Sequence, residues 1–155
     1  MSKLCDNKSV GMIVWRDNKL LLIERKRPPF GFAPPAGHVD RDYSFEAATE
    51  RELQEEVGLT TENIELLTEG RKDNPCRRVG GNWHYWKIYK INAVGKIKRS
   101  TEETKQADWF DNGQLRILAQ KTQKYLTGDT PEDDWIKDPG LEPVWLEWLK
   151  ELKII

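Results

Sequence analysis

The sequence of 155 residues has little cysteine, no long apolar segment and no excess of charge of either sign. Its two cysteines, Cys5 and Cys76, are too few for a disulfide scaffold and lack the paired spacing of a zinc motif. A reducing, cytoplasmic environment is therefore expected. No segment approaches the roughly 20 apolar residues of a membrane helix, and the first residues lack a signal-peptide core. We expect neither a membrane protein nor a secreted one.

The balance of charge argues against a polymeric partner. The chain has 25 Lys and Arg against 26 Asp and Glu, for a net charge of -1. A protein that binds duplex nucleic acid uses an excess of positive charge to displace counterions. We therefore expect no obligate nucleic acid partner. Seven Trp, four Tyr and four Phe nevertheless predict a substantial folded core.

Periodicity and turn residues predict one layered α/β domain over residues 1–155, with a helical extension at about 127–155. Short apolar and aromatic runs predict strands at 10–15, 20–24, 64–68, 83–91 and 107–110. Helical spacing, with Ser44 as a cap and Gly58 as a stop, predicts helices at 44–57, 115–126 and 143–152. Residues 130–134 are expected to form an acidic loop, and residues 69–82 a long polar connection.

Three glutamates converge on one face of the predicted helix 44–57. Because a helix advances about 100° per residue, Glu52, Glu55 and Glu56 lie within about 100° of arc. A solvated acidic face is the simplest interpretation, but each like-charge pair at this spacing costs roughly 0.2 to 0.5 kcal/mol. Mg²⁺ takes oxygen ligands and is commonly held by one or two carboxylates together with substrate phosphates. The cluster therefore predicts a site for a metal and a phosphate.

The segment from Gly37 to Leu59 resembles the Nudix box of the MutT-like Nudix hydrolases. That pattern is Gly, five residues, Glu, seven residues, then Arg-Glu-apolar-x-Glu-Glu-x-Gly-apolar. Gly37 precedes Arg51 by the required 14 residues, and residues 51–59 match throughout. The resemblance implies an α/β/α sandwich with a mixed β-sheet, in which the box forms a loop, a helix and a second loop.

The resemblance also implies roles for individual residues. Glu55 and Glu56 would bind Mg²⁺, with Mn²⁺ as a possible substitute, aided by the backbone carbonyl of Gly37. Glu52 would be the general base or a further metal ligand, and Arg51 would orient the glutamates. An acid from a later loop often joins such a site, for which the candidates are Glu103 and its neighbour Glu102.

One position departs from the family pattern. Tyr43 stands where the box has its first Glu, and the number of bound cations is therefore open. Asp40 and Glu46 are the nearby acids that can replace it. The departure also leaves room for a Nudix-like sensor that binds a nucleotide without cleaving it, although a binding module has no evident need of three facing carboxylates.

The resemblance implies hydrolysis of a phosphoanhydride bond in a nucleoside diphosphate linked to a further group X. A nucleoside triphosphate and an ADP-ribose-like compound both remain open as the small-molecule substrate. Trp83 or Trp86 is a candidate to stack on the base, with core packing as the alternative. Arg25 and Arg27 are candidates to contact phosphates, with a solvated surface as the alternative. The chain is expected to be a monomer or a homodimer.

Overall fold

The computed structural model describes residues 3–155, which form seven strands and four helices. The strands are β1 Lys8–Arg16, β2 Lys19–Arg25, β3 Phe32–Ala33, β4 Ala36–His38, β5 Thr60–Lys72, β6 His84–Val94 and β7 Thr104–Phe110. The helices are α1 Phe45–Val57, α2 Asn112–Leu126, α3 Glu132–Lys137 and α4 Pro143–Glu151.

Strand β1 is the centre of a mixed sheet. It pairs in parallel with β6, from Lys8 opposite Tyr85 to Val14 opposite Ile91, and antiparallel with β2 and β4. Strand β5 pairs antiparallel with β6, while β3 and β7 both pair antiparallel with β2. The hairpin between β1 and β2 turns at Asp17 and Asn18, both with positive φ, a conformation that Asp and Asn tolerate.

Helices cover both faces of this sheet, which gives the predicted α/β/α sandwich. Successive strand residues point to opposite faces, so β1, β2 and β6 each contribute to two separate cores. One core packs the sheet against α1 through Ala48, Leu53 and Val57. The other packs it against α2 and α4, with Trp145 and Trp148 at its centre. The apolar stripe of α4 is therefore buried within the chain rather than presented to a second copy.

The boundaries of α1 follow from its caps. The Ser44 hydroxyl accepts a hydrogen bond from the Ala47 N–H at 3.0 Å, which satisfies one of the unpaired donors of the first turn. Gly58 ends the helix with φ 73°, a left-handed conformation that costs glycine little. These caps bring the box glutamates to the last two turns of α1, where the helix meets the sheet edge.

Two predicted segments differ in the structure. Residues 132–137, which overlap the expected acidic loop, form the short helix α3 because Trp135 is buried and stacks on Tyr125 at 4.1 Å between ring centroids. Strand β5 is also longer than expected, because its pairing with β6 extends to Lys72 and shortens the polar connection to residues 73–83.

Within residues 3–155 there is no helix whose length and apolar character would allow it to cross a membrane.

Candidate active site

An open cleft lies where β4, the C-terminal half of α1 and the turn before β7 meet. Glu52 and Glu56 enter it from α1, Gly37 from β4 and Glu103 from the turn. The end of β2 and the 73–83 connection complete the walls. Three of the acids proposed from sequence, far apart along the chain, therefore face one space.

Glu56 is a buried acid and Glu52 is a mostly buried one. Burial raises the pKa of Glu52 to about 7, since the favourable charge of Arg51 only partly offsets desolvation and Glu103 adds repulsion. Burial also raises the pKa of Glu56 well above its usual value, and the neighbouring Glu52 and Glu103 charges add to this effect. The Glu56 carboxylate accepts one hydrogen bond, from the Ala36 N–H at 3.3 Å. The positive charges of Arg51 and Arg25 therefore compensate only part of the cost of burying these two carboxylates.

Gly37 allows Glu52 to approach the strand closely. A Cβ atom at position 37 would collide with the Glu52 carboxyl group. The Glu52 carboxyl group therefore occupies the space that a side chain at position 37 would take, and a larger residue there would displace it.

Arg51 lies outside the cleft and contacts several residues of the box. Its guanidinium donates to Asp42 at 2.9 Å, to Glu52 at 2.9 Å and to Glu55 at 3.1 Å. It also donates to the His38 carbonyl at 3.1 Å, which joins α1 to β4. A planar guanidinium with five N–H donors can bind several acceptors at once, and here it holds the Glu52 side chain in one orientation.

Glu103 is close enough to the α1 acids to raise the pKa of both Glu52 and Glu56. Its backbone carbonyl accepts from the Lys26 N–H at 3.0 Å, which attaches the turn to the end of β2. Glu102 does not line the cleft. Of the two neighbouring candidates, only Glu103 faces the site.

Glu55 lies at the rim. Its side chain is 59% exposed and its carboxylate is paired with Arg51, and it is not part of the cleft wall. A role as a metal ligand requires this side chain to turn away from Arg51 toward Glu52 and Glu56.

Neither Asp40 nor Glu46 takes the place of the missing first glutamate of the box. Tyr43 is 94% exposed. The Asp40 carboxylate is paired with Arg78, and the Glu46 carboxylate accepts from the Tyr89 hydroxyl at 2.9 Å. Both acids considered as replacements are therefore engaged outside the cleft.

Four arginines also line the cleft, namely Arg25, Arg27, Arg77 and Arg78. Of these, Arg78 is paired with Asp40. The charge of Arg25 lowers the pKa of Glu56, in opposition to burial. Guanidinium groups facing buried carboxylates across a cleft are suited to hold the phosphates of a substrate near a cation.

The two tryptophans proposed to stack on a base have no free ring face in the cleft. Trp83 lies outside it, with the Arg71 guanidinium 4.4 Å from its ring centroid. Trp86 forms part of the floor, but it is buried, packs edge-on against Trp145 and Trp148, and donates to the Asn74 side chain at 3.0 Å. The stacking interpretation is not supported, because the tryptophan core takes up the ring that reaches the cleft.

Comparison with known proteins agrees with this arrangement. Residues 6–129 match the NUDIX domain. The chain belongs to the Nudix family. It is 35% identical over 121 residues to an ADP-ribose pyrophosphatase of Methanocaldococcus jannaschii, a match that covers 76% of this chain and 69% of that protein.

Solved structures share the fold. A MutT NUDIX hydrolase from Burkholderia pseudomallei has a TM-score of 0.60 and 26% identity, and the match covers 69% of this chain and 84% of the other. A NUDIX hydrolase from Nitrosomonas europaea has a TM-score of 0.60 at 23% identity, covering 82% and 93%. The chain is thus a Nudix pyrophosphohydrolase, an enzyme that acts on small nucleotide substrates.

Nudix hydrolases use divalent cations, and the residues of this Nudix enzyme fit one. Two buried carboxylates, a third acid and a backbone carbonyl make an oxygen donor set, which is the set that hard cations prefer. The pKa values of Glu52 and Glu56 are raised because burial and the neighbouring carboxylates disfavour the charged forms of these side chains. A cation held between them would stabilise those charged forms.

Sequence reasoning missed two acids of this Nudix site. Asp42 anchors Arg51, and Glu142 is a buried cleft acid at the start of α4 whose pKa is raised by burial. Asp42 lies in the variable part of the box, where no pattern marks it. Glu142 comes from a segment far outside the box, which only folding brings to the cleft.

Proposed function

We propose that this Nudix enzyme hydrolyses a phosphoanhydride bond of a nucleoside diphosphate linked to a group X in a Mg²⁺-dependent reaction, with an ADP-ribose-like compound as the preferred substrate. The observation that carries the proposal is the cleft itself, with Glu52, Glu56 and Glu103 opposed by Arg25 and Arg27. Carboxylates that bind a cation, together with arginines that bind phosphate, suit a small polyphosphate substrate.

In this proposal Gly37, Glu52, Glu55 and Glu56 hold Mg²⁺, which Mn²⁺ can replace. When bound, Mg²⁺ would supply positive charge to the phosphate oxygens and would lower the pKa of a bound water. Glu52 or Glu103 accepts a proton from the attacking water, whose oxygen forms a bond to phosphorus as the bridging P–O bond breaks. Arg51 keeps Glu52 oriented, and Arg25 and Arg27 bind the phosphates of the substrate.

The nucleoside part of the substrate has a suitable surface beside the cleft. An apolar groove, which shares Pro29 and Pro75 with the cleft wall, is lined by Phe30, Tyr125 and Leu126. An aromatic and apolar groove of this kind accepts the face of a base. With Trp83 and Trp86 turned to other partners, the groove is the better candidate for the base.

The preference for an ADP-ribose-like substrate is supported by the 35% identical archaeal relative, which is named an ADP-ribose pyrophosphatase. A nucleoside triphosphate is the second candidate, supported by the 26% identical MutT structure. The two differ in their products: ADP-ribose yields AMP and ribose 5-phosphate, whereas a triphosphate cleaved between its α and β phosphates yields a nucleoside monophosphate and pyrophosphate.

We further propose that residues 1–155 act as one domain, with the C-terminal extension as a structural part of it. Helix α4 lies beyond the family match, yet Trp145 and Trp148 occupy the core on one face of the sheet. Glu142 at its start lines the cleft. Both observations support the proposal that the last helices are needed to form the site.

The test is a product analysis. The purified protein is incubated with Mg²⁺ and with ADP-ribose, nucleotide sugars, dinucleoside polyphosphates or nucleoside triphosphates, and the products are separated by chromatography. We expect AMP and ribose 5-phosphate as the fastest-formed products, with loss of activity on chelation and recovery on adding Mg²⁺. Nucleotide binding without any cleavage across the panel would instead identify a sensor and overturn the proposal.

A further inference from the structure

All the cysteines and histidines of the chain meet at one place. The sequence has two of each, Cys5, His38, Cys76 and His84. Although Cys5 and His84 are 79 residues apart, one ligand atom from each of the four side chains lies within 4.8 Å of the others. This Cys2His2 cluster borders the cleft but is separate from the glutamates on α1, and no carboxylate belongs to it.

The distances within the cluster suit a tetrahedral metal ion. Cys5 Sγ lies 3.8 Å from Cys76 Sγ and 3.3 Å from His84 Nε2. Around a zinc ion with Zn–S of about 2.3 Å and Zn–N of about 2.0 to 2.1 Å, tetrahedral geometry separates two sulfurs by about 3.8 Å and a sulfur from a nitrogen by about 3.5 Å. All the ligand atoms lie within 4.8 Å of one another, so the widest pair would have to shorten by about 1 Å to hold an ion of this size.

A backbone N–H group points at each of the two sulfurs. The Asn7 N–H points at Cys5 Sγ at 3.3 Å, and the Arg78 N–H points at Cys76 Sγ at 3.4 Å. Each cysteine thus receives a donor from the residue two positions later, and hydrogen bonds to a charged acceptor are the stronger kind. Gly81 lets the chain fold over the sulfur, since a Cβ at this position would collide with Cys76 Sγ.

One imidazole also has an unused nitrogen. His38 Nε2 is buried and has no hydrogen-bond partner among residues 3–155, whereas His84 directs its Nε2 at Cys5 Sγ. Buried polar atoms in proteins are rarely left unpaired, and an ion in the cluster is one of the few explanations for His38 Nε2. Both cysteines are free thiols, so a disulfide does not account for the cluster.

We propose that Cys5, His38, Cys76 and His84 bind a structural Zn²⁺ ion. Two thiolates and two imidazoles form a closed, four-ligand set that selects zinc and excludes Mg²⁺, which requires oxygen ligands. The ion joins four segments: the chain before β1, β4 beside Gly37, the 73–83 connection and β6. It therefore fixes the connection that carries Arg77 and Arg78 along the cleft.

The experiment measures metal directly, independently of catalysis. Reduced protein is stripped with a chelator, returned to buffer with excess Mg²⁺ to fill oxygen-ligand sites, and given Zn²⁺ or Co²⁺. We expect about one tightly held zinc per chain by elemental analysis after gel filtration. With Co²⁺ we expect sulfur-to-cobalt charge-transfer bands and the intense visible bands of tetrahedral coordination.

Variants locate the ion. Cys5→Ser, Cys76→Ser and His84→Asn should each lose the tightly held zinc and weaken or abolish the tetrahedral cobalt spectrum. Glu52→Gln is the matched control, because it changes a cleft residue outside the cluster and should keep both signals. Since a cysteine variant can also fail to fold, alkylation of the wild-type thiols provides a second measurement: added zinc should protect both cysteines, and Mg²⁺ should protect neither.

Several results would overturn the proposal. These are a wild-type protein that takes up no zinc in the presence of Mg²⁺, a cobalt spectrum without thiolate bands, and loss of zinc from Glu52→Gln but not from the cysteine variants. Isolation of the freshly purified protein with a Cys5–Cys76 disulfide, two hydrogens lighter and free of zinc, would do the same.

Discussion

Replacing Glu52 by Gln should make the metal-free enzyme more stable while it destroys activity. Burial raises the pKa of Glu52 from 4.5 to about 7, so its ionised form is disfavoured in the folded state. At about 1.4 kcal/mol for each pKa unit, the charge costs the folded protein about 3 kcal/mol well above pH 7. The side chain is only 14% exposed, so solvent screens little of this cost. Gln keeps the shape and can still accept from Arg51, but it carries no charge.

The sign of the pH dependence follows from linkage. Between pH 4.5 and 7 the folded state binds more protons at Glu52 than the unfolded state, so this residue makes wild-type stability fall as the pH rises. The variant lacks this contribution. Its advantage in free energy of unfolding should be about 3 kcal/mol at pH 8 and less than about 1 kcal/mol at pH 5. For a chain of this size, 3 kcal/mol corresponds to roughly 6 to 12 °C in Tm.

The assay is urea unfolding of both proteins at pH 5 and pH 8 in the presence of a chelator, with turnover measured separately in Mg²⁺. Glu50→Gln is the control, because Glu50 lies on the same helix, is exposed and undergoes the same loss of charge. It should change neither stability nor its pH dependence appreciably. Turnover of Glu52→Gln should fall by about 10² to 10⁴ if this carboxylate transfers a proton.

Two results would refute this reasoning. A variant no more stable than wild type at pH 8 would mean that Glu52 is not held as a desolvated acid. Unchanged turnover would mean that Glu52 neither binds the cation nor accepts the proton.

Three further predictions concern other parts of the molecule. Arg51→Lys should lower kcat by about 10 to 100-fold, because an ammonium group cannot contact all the partners of the guanidinium; steady-state kinetics with a Tm control measures this. Gly37→Ala should lower turnover about 100-fold by pushing the Glu52 carboxyl group aside, and normal activity would contradict the contact. Trp145→Ala should cost about 3 to 5 kcal/mol in urea unfolding, whereas Ile117→Ala, at an exposed position, should cost far less.

Local sequence determined the box helix closely. Ser44 and Gly58 act on backbone groups within one helical turn, so their effect can be predicted without knowledge of the rest of the chain. The convergence of the α1 acids follows from helical geometry in the same way. The choice of Glu103 over Glu102 does not, because it depends on how β7 pairs with β2 and on where the turn before it then points.

The environment of the aromatic residues, in contrast, could not be predicted from local sequence. Alternation in β6 distinguishes two faces of the strand, but both faces of this sheet are covered by helices, so alternation does not separate core from solvent. Trp86 reaches the cleft floor and is nevertheless enclosed by Trp145 and Trp148 from the last helix. Residues 132–134 of the expected acidic loop are helical in the structure because Trp135, which follows them, is buried.

The sequence by itself determined which residues of one short segment form the core of the site. These are a glycine, an arginine and three glutamates, and their spacing could be interpreted because they lie in a single loop and helix. Tertiary structure alone decided which distant residues join that segment: it selected Glu103 over Glu102 and brought Glu142 to the cleft. It also decided that cysteines and histidines without any paired spacing form one cluster. The physical reason is that helix geometry and caps act over a few residues, whereas strand pairing and core packing join groups about 80 positions apart that no local pattern connects.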